Sequence, residues 1–191
     1  VQTQGKHYLA SEWNINKFTN NRFKNIKLNE NARPIFSDKT YPINKKEFLN
    51  SEILEDQTLL IFENNMTFEF SDFKEHKFKK ILLVLNNTNR AIRLSEKVLK
   101  FKADLLKDQK VRLEEKSINC EIINISDLKN IAENVYALYP TVGENFDFIQ
   151  NNNLNNIKLL YRKLDQFSWQ YCNKGFFNFK NYIPKIIAKF N

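Results

Sequence analysis

Thr58-Leu59-Leu60-Ile61-Phe62 is a short apolar run bounded by Asp56 on one side and by Asn64-Asn65 on the other. It does not alternate. A strand with one face in water turns polar at every second residue, so a run without that alternation is expected to be covered on both faces. Lys80-Ile81-Leu82-Leu83-Val84-Leu85, ended by Asn86-Asn87, reads the same way. Three further runs follow, from Cys120 to Ile123, from Val135 to Tyr139 and from Ile157 to Tyr161.

Helical spacing fills the gaps between these runs. Leu94, Val98, Phe101 and Leu105 fall at i, i+4, i+7 and i+11 and form one apolar stripe, with Glu96, Lys97, Lys100, Lys102 and Asp104 as its solvated face. Leu128, Ile131, Ala132 and Val135 mark a shorter helix after Ser126, which is placed to cap it. Thr141-Val142-Gly143-Glu144 has the spacing of a capping box, and Val142, Phe146 and Ile149 continue an apolar stripe as far as Asn151-Asn152-Asn153. Strands that alternate with helices pair in parallel through right-handed crossovers. The expected fold is therefore α/β, a three-layer sandwich with about five mostly parallel strands. Met66-Thr67-Phe68-Glu69-Phe70 alternates and is expected to add an edge strand. Gly175 is expected to supply a positive-φ joint before a last helix, letting Phe176, Phe177 and Phe179 dock together, with Pro184 ending that helix or starting a short new one.

Residues 1–55 read differently from 56–191. Val1 to Tyr8 shows no period, Asn14 to Phe23 is polar with scattered aromatics, and Pro34 and Pro42 punctuate a lysine-containing stretch. This segment is read as the tail of another domain followed by a connection, and 56–191 as the α/β domain. The chain starts at Val1 and its one methionine is Met66, from which a trimmed or partial chain is expected.

Composition narrows the class without naming a chemistry. Of the 191 residues, 42% are hydrophobic and 17 are Phe, enough for a largely aromatic core. The formal charge of +8 suits a polyanion partner such as DNA, but lysine and asparagine also accumulate in chains from AT-rich genomes. Glu and Asp interleave with the basic residues. Neither a signal-peptide run nor a membrane-length apolar stretch is present, so a soluble, cytoplasmic protein without membrane partners is expected. Two cysteines make no disulfide framework, and Cys120 is expected in the core. His7 and His76 lie apart, with no metal-ligand spacing and no nucleophile-elbow pattern near either. Three glycines exclude glycine-rich phosphate loops. No carboxylate pair stands out for acid–base work, so no catalytic or metal-ligating residue is assigned. The loops expected at the carboxyl ends of the strands are Asn86-Asn87-Thr88-Asn89, Asn124-Ile125-Ser126 and Pro140-Thr141-Val142-Gly143. Thr141 to Glu144 offers a helix N-terminus to an anion, with plain capping as the simpler reading. The aromatic block Phe167-Ser168-Trp169-Gln170-Tyr171 with Phe176-Phe177 suits stacking on bases or on flavin, or a core.

Two distant blocks resemble one family. Gly5-Lys6-His7-Tyr8-Leu9-Ala10 with Asn14-Ile15 and Phe18-Thr19 is similar to the stretch that follows the flavin pocket in cryptochrome/DNA photolyase flavoproteins. Tyr139-Pro140-Thr141-Val142-Gly143, Trp169-Gln170-Tyr171 and Gly175-Phe176-Phe177-Asn178-Phe179-Lys180, running on to Pro184, resemble the C-terminal α/β region of a bacterial branch of that family. His7 and Gln170 stand where that branch has proline. The resemblance implies the C-terminal part of a longer flavoprotein that binds FAD and either repairs pyrimidine dimers in blue light or senses light. It places the main FAD pocket before Val1, in an upstream helical FAD domain that would be this chain's partner. Gly5, Lys6 and Tyr8 are the candidates for a cofactor contact here. No FAD binding, and no catalysis, is expected of these residues alone. The alternatives are a non-catalytic α/β interaction domain and a small nucleic-acid-binding domain.

Overall fold

The structure is a computed structural model and describes residues 11–23, 25, 27–28, 53–87, 93–173 and 175–190. These fall into two compact units, one holding the start of the chain with Tyr171–Pro184, the other holding the sheet with Lys185 onward.

In the sheet unit all five apolar runs are strands: β1 (Thr58–Phe62), β2 (Lys80–Leu85), β3 (Cys120–Asn124), β4 (Val135–Leu138) and β5 (Ile157–Leu160). Every pairing is parallel, and the order across the sheet is β3-β2-β1-β4-β5. β1 is central and all five of its residues are buried, because it is covered on two faces and paired on two edges.

Successive side chains of a strand point to opposite faces, and here they build two separate cores. Leu59, Ile61, Ile81 and Leu83 pack on one side with Leu106 and Leu113 of α2 (Glu96–Glu114) and with Phe68 and Phe73 of the β1–β2 connection. Leu60, Phe62, Leu82 and Val84 pack on the other with Ile125 and Leu128 of a 3-10 turn (Ile125–Asn130) and Phe148 and Ile149 of α3 (Glu144–Asn151). Strand order explains the division. The chain steps outward from β1 to β2 to β3, then crosses back to β4 and steps the opposite way to β5. Right-handed crossovers place connections that travel in opposite directions on opposite faces, and α2 and α3 obey that rule. The result is the three-layer, Rossmann-like α/β sandwich expected.

Several local expectations are corrected. The inward stripe of α2 is Leu106, Gln109 and Leu113, all fully buried, with Lys102 in line one turn earlier. Val98 and Phe101, expected inward, are exposed. The stripe is rotated because Lys102 and Gln109 are buried polar residues with partners, which hydrophobic periodicity does not register. Gln109 donates to Glu69 Oε1 at 3.0 Å, and Arg112 pairs with the same oxygen at 2.6 Å. That network fastens the β1–β2 connection to α2, so Phe68–Phe70 forms a 3-10 turn and not an extra edge strand. The helix expected after Ser126 is the 3-10 turn, capped by Asn124 and Asp127, and Val135 belongs to β4. Val142 is exposed and is not part of the α3 stripe.

Thr141 does not cap α3; Gly143 does, with φ 136° and ψ −167°. That conformation is essentially confined to glycine. A Cβ added there would meet no atom within 4 Å, so steric contact contributes nothing and backbone strain alone opposes a side chain. Gly143→Ala is expected to lower the unfolding free energy by about 1–3 kcal/mol, read as a lower urea midpoint at unchanged slope. An unchanged midpoint would show that the loop relaxes into another conformation.

Beyond β5 run α4 (Lys163–Trp169), α5 (Phe176–Phe179), a 3-10 turn (Lys180–Tyr182) and α6 (Ile183–Phe190). Gly175 sits before α5 at φ 80°, the joint expected, and Pro184 is the second residue of α6, starting a helix as a proline at that position is suited to do. Phe176 and Phe177 do not dock into a core: both are exposed, their rings 5.8 Å apart. In the other unit, α1 (Glu12–Phe18) is capped by the Ser11 hydroxyl, which accepts from Asn14 N at 3.2 Å. This short helix lies where the sequence shows no period, and it buries no residue.

Candidate functional site

The carboxyl edge of a doubly wound sheet binds ligands in the crevice where strand order reverses. Here that crevice lies between β1 and β4, and side chains bridge it. Asn64 Nδ2 donates to Pro140 O at 2.6 Å and Asn65 Nδ2 to Tyr139 O at 3.0 Å. Asn65 is buried. The fold normally follows β1 with a helix whose N-terminus holds a phosphate. In this chain β1 runs into Asn64-Asn65 and the 3-10 turn, so no such helix N-terminus faces the crevice.

Beside it lies a cluster of buried charge. Lys102 Nζ is 2.5 Å from Glu63 Oε1 at the end of β1 and 3.6 Å from Glu144 at the start of α3. It also donates to Asn86 O at the end of β2, at 2.6 Å. The side chains of Lys102 and Glu63 are 11% and 6% exposed, so solvent screens the pair little. Asn86 Nδ2 donates to Asn145 Oδ1 at 2.8 Å, closing the network onto α3. Two carboxylates about one ammonium resemble an acid–base pair on paper. The ammonium occupies the space between them, and each group has a structural partner, so the cluster ties β1, β2, α2 and α3 together.

On the other side of the crevice Tyr139, Phe146, Tyr161 and Trp169 form an aromatic wall. Tyr139 stands 4.9 Å from Tyr161 and 5.7 Å from Trp169, ring centre to ring centre. Burial pushes the Tyr139 hydroxyl above its ordinary value, and burial together with Tyr139 does the same to Tyr161. Both phenols therefore stay neutral at physiological pH. Trp169, half-buried in this wall, is core rather than a stacking platform.

A cavity of about 190 Å³ opens at the opposite, amino edge, lined by Leu54, Gln57, Asn134, Val135, Tyr136 and Lys158. Those residues contain one cation and no nucleophile–base pair, and the cavity lies away from the edge where such folds perform chemistry.

The sequence candidates are not brought together. Gly5, Lys6, Tyr8 and His7 lie outside the described residues, as do Thr88 and Asn89. Asn86, Asn124 and Pro140 are at the carboxyl edge as expected. His76 sits in the β1–β2 connection, its Nε2 3.3 Å from Leu54 O and its ring against Phe78. Lys102 and Glu63, the centre of the buried cluster, were not singled out by sequence, because each reads as one more surface charge. Among the described residues no group of His, Cys, Asp and Glu could hold a metal ion. Among them, too, no helix is long and apolar enough to cross a membrane.

The cysteines offer a direct check on this geometry. Cys120 is buried in β3, where desolvation raises its thiol pKa; Cys172 is exposed yet also raised by partial burial of its sulfur. A raised pKa delays the reactive thiolate to higher pH. In native protein Cys172 is expected to alkylate first, at a rate still climbing above the pH where an ordinary cysteine is fully ionised. Cys120 is expected to react only on unfolding. Equal native rates for the two thiols, measured by mass spectrometry, would contradict the burial of β3.

Comparison with protein-family models, with curated proteins and with solved structures returns no match.

Proposed function

We propose that this chain is the C-terminal part of a photolyase/cryptochrome-like flavoprotein and that its sheet unit is an accessory module without chemistry of its own. The reading draws its family from the two sequence blocks, the first around Lys6 to Ala10 and the second from Tyr139 through Trp169 to Pro184. One structural observation supports the accessory role. The crevice at the β1–β4 reversal is bridged by Asn64 and Asn65 and flanked by the satisfied Lys102 cluster, which leaves no acid, base or phosphate cradle exposed there. On this reading FAD belongs to the helical domain upstream, and light-driven DNA repair or light sensing belongs to the whole protein.

The test is to express the chain together with the coding sequence that precedes it and to record its absorption spectrum. A yellow protein with flavin bands, beside a colourless 191-residue chain, is the expected outcome. A colourless longer protein, or an upstream reading frame with no helical domain, would refute the family and leave a non-catalytic α/β interaction domain unrelated to flavin.

A further inference from the structure

The net charge of the chain is not spread over it. Residues 1–46 and 171–184, the segments of the smaller unit, hold eleven of the 30 Lys and Arg but three of the 22 Asp and Glu, a net of +8. The sheet unit holds nineteen of each and is neutral. The whole excess of the protein therefore sits in one unit.

Open aromatic rings lie in the same unit and are paired with its cations. On α1 and the turn after it, Trp13 is 66% exposed and Phe18 78%. Lys17 Nζ lies 4.5 Å from the Trp13 ring centre and 5.7 Å from that of Phe18, and Arg22 lies 5.5 Å from that of Phe23. In the 171–184 segment Phe177 is 79% exposed, with Lys180 at 5.5 Å. Neither α1 nor α5 buries a residue, so these rings do not serve a core.

We infer that this unit is a binding surface for single-stranded nucleic acid, its cations on the phosphates and its exposed rings on the bases. Charge complementarity selects a polyanion. The rings choose among polyanions. An acidic peptide or an anionic lipid headgroup offers no π-face, whereas an unpaired base does, and base–aromatic stacking tolerates any sequence. A duplex hides those faces. The inference stands on this charge and these rings and does not require the flavoprotein reading.

The test uses the whole chain with Trp169→Phe, which leaves Trp13 as the tryptophan reporter. It is titrated with an oligothymidine of about 20 nucleotides, longer than the roughly 4–16 that a single such surface covers. Expected are quenching of Trp13 and binding that weakens with salt. Each neutralised phosphate contributes about −0.7 to the log–log slope, so three cations give about −2. Trp13→Ala with Phe18→Ala should weaken binding about tenfold or more, with far-UV circular dichroism unchanged because neither ring is buried. Lys17→Ala with Arg22→Ala should flatten the slope, and Lys107→Ala with Lys116→Ala on the sheet unit should not. Any of four results overturns the inference: no binding at low salt, binding without quenching, equal affinity for the annealed duplex, or equal affinity for polyglutamate or phosphatidylserine vesicles. The readout is independent of flavin absorbance, so this surface and the proposed family fail or stand separately.

Discussion

Lys102→Met is expected to lower the unfolding free energy by about 3–5 kcal/mol, the usual cost of removing one partner from a buried ion pair. The cost comes less from the lost attraction than from what stays behind. Glu63 is buried at the end of β1, and its carboxylate holds Lys102 at 2.5 Å. Without the ammonium that carboxylate is left in a low-dielectric site with only the Asn86 amide, 3.4 Å away, to stabilise it. Asn86 O loses its donor as well. In a chain of this size each kcal/mol shifts Tm by about 2–4 °C, so a drop of roughly 6–20 °C is expected. Glu63→Gln on the Lys102→Met background should recover part of the loss, because it removes the stranded charge. Lys107→Met, on an exposed lysine of the same helix, should stay within about 0.5 kcal/mol of the parent. If urea unfolding puts Lys102→Met within about 1 kcal/mol of the unsubstituted chain, Glu63 is reached by water and the cluster is not a fastening.

That lysine also marks where sequence reasoning stops. Thr58 to Phe62, Lys80 to Leu85 and the three later runs are legible because a parallel strand covered on both faces must be apolar at nearly every position. Local pattern is enough to find them, and their alternation with helical spacing is enough to make the sheet parallel. The loops of the carboxyl edge follow directly. The face of α2 does not follow. A helix face that carries Lys102 and Gln109 inward is stabilised by Glu63 and Glu69, which lie far back in the chain, and no period within α2 encodes them. The same distant contacts turn Phe68–Phe70 into a 3-10 turn despite its alternating pattern. The capping of α3 was misread for a different reason. Thr141 to Glu144 has the residue types of a capping box, but Gly143 takes φ 136° and becomes the cap itself, a choice the composition of the loop permits and does not reveal. The partition of charge was countable in the sequence, yet it has meaning only once residues 171–184 are known to fold with the start of the chain.

Phe62→Ala and Phe101→Ala set the two readings against each other. By sequence both phenylalanines face the core, one in the central run and one on the helical stripe, and both truncations should be severe. In the structure Phe62 is 0% exposed and Phe101 is 62% exposed. Phe62 ends β1, sits in register with Val84 of β2 and belongs to the core that includes Ile125, Phe148 and Ile149. Truncating it removes a full aromatic ring between the sheet and α3, where packing is dense and collapse is limited. A loss of about 3–5 kcal/mol is expected, and less for Phe62→Leu, which leaves a smaller void. Phe101→Ala should change stability by about 0.5 kcal/mol or less. Denaturant midpoints for the two variants decide the orientation of α2. Comparable large losses would return the apolar stripe of Leu94, Val98, Phe101 and Leu105 to the sheet. That result would turn Lys102 outward and dissolve the buried cluster on which the first prediction depends.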